Sequence, residues 1–218
     1  MKIRILIILN IALIGNFSPL YSQDNGDHLE PTQSIYSLYD FEFEYYSKVR
    51  KIMFNGLSDS PEIRFQVMPS FFPENVVDIE YDRETGIYQI IYHRCKKMIW
   101  SNDKWEKVRV EKHRSQIEKE SALKIKELFE TAILQTKYLD PENEMIGLDG
   151  TTYYFSVFNH GTKTGSVWSP NKGTNMYQLV QIASSLHEMA KSNQDIVKLN
   201  KDEIEAINKL IEEIKYDR

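Results

Sequence analysis

The sequence predicts an α+β fold: a mainly antiparallel sheet, a meander of about five to seven strands, packed by an N-terminal aromatic helix, a middle helix and two C-terminal helices. Three observations carry this expectation. Segments that alternate apolar and polar residues crowd the region from Ile63 to Lys112. Segments with a helical period of three to four follow it, and one β-prone stretch, Gly147 to Pro170, separates the middle helix from the last two. That stretch reads as a hairpin, with strands Thr151 to Phe158 and Thr164 to Trp168 joined at Asn159-His160-Gly161. Its first strand has bulky residues on both faces, Tyr153, Phe155 and Val157 on one and Tyr154 and Phe158 on the other, so it belongs inside the sheet with cover on both sides.

At the N-terminus, Lys2 and Arg4 precede the apolar run Ile5 to Ile14, and Gly15, Asn16 and Pro19 lead to Leu20-Tyr21-Ser22. This is the layout of a secretory signal peptide, residues 1–22, cleaved near Ser22. An apolar run of about 10 residues falls well short of the ~20 needed to span a bilayer. The lone cysteine, Cys95, lies far from the cleavage site, so no lipid-anchor cysteine is available there. The expectation is a periplasmic or secreted bacterial protein with no membrane span after cleavage. Residues 23–33 are polar and read as a flexible leader, and residues 34–218 as one domain. About 196 residues suffice for a real core, and 13 Tyr, 10 Phe and 3 Trp supply it without any intramolecular disulfide.

Within the domain, Leu38, Phe41, Tyr45, Val49 and Ile52 step at helical spacing from a cap at Ser34 or Ser37 to a stop at Asn55-Gly56. Tyr36, Tyr39, Phe43 and Tyr46 widen the aromatic surface, as suits a helix lying flat on a sheet. Ile63, Phe65 and Val67 mark a half-buried strand, and Pro69-Ser70-Phe71-Phe72-Pro73 breaks the ladder because proline cannot donate to it. Val77, Ile79 and Tyr81 alternate with Asp78, Glu80 and Asp82, and after Arg83-Glu84-Thr85-Gly86 the segment Ile87 to Cys95 returns as their partner. Ile99-Trp100 and Lys104 to Lys112 continue the meander around Ser101-Asn102-Asp103. Ser115-Gln116-Ile117-Glu118 has capping-box spacing and opens a helix that runs to about Tyr138 before Asp140-Pro141. Thr174 caps the next helix, and the last begins near Asn200, with Ile204, Ile207, Ile211 and Ile214 as its stripe.

The net charge of −5 becomes two units more negative once Lys2 and Arg4 are removed. An acidic chain without a basic tract argues against nucleic acid, and against an anionic membrane surface, as its main partner. Basic residues cluster at Arg94, Lys96 and Lys97 and from Lys104 to Arg114, where Glu106 and Glu111 interrupt them, and read as a solvated strand face.

No set of residues assembles a catalytic or metal site by spacing. His93 and Cys95 stand two apart on one strand, so their side chains are about 6.5 Å apart where a proton transfer needs about 3 Å. A small buried cysteine is the plainer reading. Asp140, Glu142, Glu144 and Asp149 lack calcium-loop spacing, and no HxxxH, CxxC or HExxH occurs. Gly161-Thr162-Lys163-Thr164-Gly165 joins two strands and lacks phosphate-loop order, and neither Ser70 nor Ser169 sits in a GxSxG elbow. No catalytic residue, metal or cofactor is therefore assigned. The binding candidates are Trp168, Phe71 and Phe72 beside prolines at a sheet end, His160 in the hairpin turn, and Tyr153 on the hairpin's first strand. The expected function is a non-catalytic binding or protein-interaction module for an unknown protein or small ligand. The alternatives are an envelope hydrolase built from Cys95, His93, His160 and Asp149, and an inhibitor or immunity-type protein.

Overall fold

The computed structural model describes residues 27–32, 40–138 and 149–216. Among them are β1 (Glu30–Pro31), α1 (Asp40–Met53), β2 (Ile63–Pro69), β3 (Asn75–Asp82), β4 (Ile87–Cys95) and β5 (Val110–Ile117). They are followed by α2 (Lys119–Leu134), β6 (Thr151–Phe158), β7 (Thr162–Trp168), α3 (Asn175–Lys191), β8 (Ile196–Val197) and α4 (Lys201–Tyr216). The strands form one sheet in the order β1-β7-β6-β2-β3-β4-β5-β8, antiparallel at every junction except β5–β8. The α+β class with a mainly antiparallel sheet is thus the one the sequence predicts. Among the described residues the sheet has eight strands rather than five to seven, because a two-residue strand lies at each edge. The meander covers only β2 to β5; the β6–β7 hairpin joins the opposite side, against β2, where it buries Phe155 beside Phe65. β6 is interior, as its two apolar faces require.

The sheet separates two cores, and strand alternation decides which residue enters which. Ile63, Phe65, Val77, Ile79, Ile90, Tyr92, Phe155 and Val157 pack under α2, α3 and α4. Phe155 meets Phe129 of α2 edge-on at 5.1 Å, and Phe65 stacks on Tyr153 at 6.0 Å. On the other face, Met68, Val76 and Cys95 pack with Val49 and Met53 of α1. Here β2 and β3 also carry a buried ion pair. Arg64 Nε and Nη2 donate to Asp78 Oδ1 and Oδ2 at 2.8 and 2.6 Å, and Nη2 donates to the Ser58 carbonyl at 2.8 Å. The guanidinium lies 4.2 Å from the centre of the Phe54 ring.

Helix starts follow local chemistry at two of three places. Thr174 Oγ1 accepts from Tyr177 N at 3.1 Å, and Asn200 and Glu203 cap each other's amides at 3.0 and 2.7 Å. The expected box at Ser115 does not form. Pairing with β4 and β8 holds Ser115, Gln116 and Ile117 in β5, and the Ser115 hydroxyl instead binds the Ala190 and Ser192 carbonyls at the end of α3. The helix begins after Glu118.

Three further expectations change. α2 stops at Leu134 rather than near Tyr138, because Thr136 Oγ1 donates to the Ile133 carbonyl at 2.6 Å and Lys137 N donates to the Leu29 carbonyl at 3.0 Å. Asp140-Pro141 lies outside the described residues, as do Ser34, Ser37, Tyr36 and Tyr39. The leader is in part a component of the fold: Asp27 accepts from Asn175 N and Met176 N at 2.6 and 2.8 Å, Leu29 is fully buried, and Glu30 and Pro31 pair with β7. Ile99-Trp100 and Lys104 to Arg109 form an irregular loop with one 3₁₀ turn instead of strand, and only from Val110 does the ladder resume. α1 ends at Met53, with Gly56 at φ 92° in the turn beyond it, close to the predicted stop.

Candidate functional site

Register brings most of the candidate residues to one end of the sheet. Pro69 pairs with Thr151, Thr152 with Trp168, Asn75 with Arg94, and Cys95 with Val110. The segments 70–74, 96–109, 149–150 and 169–174 therefore leave the sheet on the same side. The two proline-flanked segments are joined through Gly150. Ser70 N donates to the Gly150 carbonyl at 2.8 Å, Gly150 N donates to Ser70 Oγ at 3.2 Å, and Thr151 N donates to Ser169 Oγ at 2.9 Å. Trp168 leans on Gly150 so closely that an added Cβ would lie 2.6 Å from its indole carbons. Gly150 is a glycine for that reason, and Trp168 is half-buried rather than projecting.

Phe71 and Phe72 do project, 64% and 69% exposed. The tip they form is pinned on its far side by Glu74, a fully buried carboxylate that sequence reasoning passed over. Ile99 N donates to both of its oxygens, at 3.0 and 3.1 Å, and the Tyr45 hydroxyl donates to Oε1 at 2.9 Å. Cys95 N donates to the Glu74 carbonyl at 2.9 Å. Glu74 thus fastens the 96–109 loop and α1 to the root of the Phe71-Phe72 tip, and Trp100, 56% exposed, stands edge-on to Tyr45 at 5.0 Å. Burial and the neighbouring carboxylate push the Tyr45 phenol far above its usual range, which keeps its donated proton in place.

Tyr153 and His160 are elsewhere. Tyr153 is half-buried against Phe65 under the helices. His160 sits at φ 53° in the exposed β6–β7 turn, at the opposite end of the sheet. Asp149 and His160 lie beyond opposite ends of β6, whose eight residues alone span roughly 23 Å. Cys95 and His93 do share the α1 face, but neither serves the other. His93 Nδ1 donates to the Met53 carbonyl at 2.7 Å, and burial lowers its pKa, so it is a neutral structural imidazole. Burial, with Glu74 adding to it, pushes the Cys95 thiol up to about 12. The native protein should accordingly react with a thiol reagent at pH 7 at least about a hundredfold more slowly than the protein in denaturant, measured by disulfide-exchange absorbance.

Other features carry no chemistry. Among the described residues, no three or more His, Cys, Asp or Glu side chains are placed to hold a metal. Asp149 is exposed, and Asp140, Glu142 and Glu144 of the acidic loop lie outside the described residues. Thr162 to Gly165 are strand, not a phosphate loop. An open depression of about 560 Å³ lies between Asn175 and α4, lined by Lys209, Glu212, Glu213 and Tyr216; its charges pair along the helix, Lys209 with Glu213 at 3.5 Å and Lys215 with Glu212 at 3.1 Å.

The described residues define an α+β protein whose sheet is covered by helices on both faces, with an exposed aromatic tip at one end. Its sequence matches no known protein family and no curated protein, and its fold matches no solved structure.

Proposed function

We propose that the chain is an exported, non-catalytic binding module that engages its partner through the Phe71-Phe72 tip, with Trp100 beside it. The observation that carries this reading is the pair of adjacent phenylalanines held out to solvent between Ser70 and Glu74, each of which is tied to the body of the sheet. Large apolar side chains on a rigid mount lose little conformational freedom on binding, so most of their contact area contributes to affinity. Export rests on the basic, apolar and small-residue order of residues 1–22. Among the described residues, no helix is long and apolar enough to cross a membrane. The hydrolase alternative would need Cys95 as a thiolate near a base, whereas its thiol is buried and held protonated while His93 is engaged by Met53.

The test is recovery of the partner from an envelope fraction, membranes included, on immobilised protein. Phe71→Ser/Phe72→Ser should abolish recovery while leaving the circular-dichroism melt unchanged, because both rings are exposed. Trp168→Ala, whose ring rests on Gly150, should retain it. Undiminished recovery by the folded double variant would remove the tip as the binding surface.

A further inference from the structure

Resting on that reading of the tip, we infer that its partner is an anionic lipid surface, which Phe71 and Phe72 enter while a basic fringe meets the headgroups. Two observations point to lipid rather than to a groove on another molecule. The first is shape. The tip holds two adjacent rings out to solvent, Pro69 and Pro73 bracket it, and its hydrogen bonds to Gly150 and Ile99 hold it from both sides. Such a tip needs only an apolar layer a few ångströms deep, and amphipathic surfaces seat themselves about 5–10 Å into the headgroup boundary.

The second is charge. The loops at this end of the sheet expose Arg94, Lys97, Lys104, Lys107, Arg109 and Lys172 against Asp103, Glu106 and Asp149. The 96–109 loop is closed at its base by Lys96 N donating to the Arg109 carbonyl at 2.8 Å, and Glu74 holds it against the tip. Several of the exposed acids lie instead in the helix layer, among them Glu120 and Glu127 on α2 and Asp202 and Glu205 on α4. Net charge pointed away from an anionic membrane, but charge acts on a surface only within a screening length of about 8–10 Å. At that range the basic fringe, not the sum over the chain, sets the sign.

The test uses the slow chemistry of Cys95. A Phe72→Cys variant labels at the tip alone, and an environment-sensitive fluorophore there reports its surroundings whatever else the chain does. With vesicles containing one part phosphatidylglycerol to two parts phosphatidylcholine, the emission should rise and shift to the blue. Pure phosphatidylcholine, or 1 M salt, which shortens screening to about 3 Å, should largely suppress the change. In co-sedimentation with the same anionic vesicles, Phe71→Ser/Phe72→Ser should weaken partitioning tenfold or more. Lys97→Glu/Arg109→Glu should weaken it on anionic vesicles only. An unchanged probe with every vesicle, or an equal response to neutral ones, overturns the inference. If the probe then responds to the lipid-free envelope protein fraction, the tip binds a protein and the broader reading stands. If it responds to neither, both fall.

Discussion

Arg64→Met should destabilise the protein by about 3–5 kcal/mol in chemical denaturation, because it leaves the fully buried Asp78 carboxylate without its counter-charge. Methionine keeps an apolar stem for Phe54 to pack on, so the loss reports the charge rather than a cavity. The pH dependence identifies the cause. Burial pushes the Asp78 carboxyl up to about 6, with Arg64 pulling against it. A folded pKa above the unfolded value means that Asp78 favours the fold most below about pH 4, and that this contribution is lost as pH rises through about 6. Without Arg64 the carboxyl should rise further. The difference between wild type and variant should therefore be largest at pH 7 and shrink towards pH 4, where Asp78 is neutral in both. Asp78→Leu added to Arg64→Met should recover most of the loss, since a pair of apolar residues often replaces a buried ion pair without cost. A pH-independent difference would assign the effect to packing.

Leu29→Ala should cost about 2–5 kcal/mol, a core value from a segment whose polar composition reads as a leader. Leu29 is fully buried, and it fits because Gly165 opposite has no side chain; an added Cβ would approach Leu29 Cδ1 to 2.9 Å and Thr136 Oγ1 to 3.2 Å. Gly165→Ala alone should cost about 1–3 kcal/mol by overpacking. Combined with Leu29→Ala, its penalty should fall in part, since the Leu29 Cδ1 clash is removed while the Leu29 Cβ at 3.0 Å and Thr136 Oγ1 remain. Additive losses in that cycle, measured by thermal or urea unfolding, would mean that the two positions do not touch. A Leu29→Ala loss under about 0.5 kcal/mol would return the segment to the status of a leader.

The hairpin at β6–β7, the β3–β4 pair, the Thr174 and Asn200 helix starts and the Ile207, Ile211 and Ile214 stripe of α4 were legible because each is set by neighbours in sequence. Period and turn chemistry act over a few residues. The site was legible only in pieces. Phe71, Phe72 and Trp168 stood out by composition, but Trp168 turned out to rest on Gly150, and Tyr153 and His160 lie away from the tip. Glu74 gave no signal, because a glutamate after a proline in a loop looks solvated until the 96–109 loop closes over it. The strand expected at Ile99-Trp100 failed for the same reason, its amide being taken by a side chain 25 residues away in sequence.

By itself the sequence determined the class of the fold, the interior place of β6 and the residues that alternate into its cores, since these follow from periodicity and side-chain volume. Only the tertiary structure decided that β6 lies beside β2, that Leu29 belongs to the core, that Asp78 meets Arg64, and that basic and aromatic loops share one end of an acidic molecule. Each of those depends on strand register and on which distant surfaces close together, and burial free energy selects them across the whole chain rather than within any one segment of it.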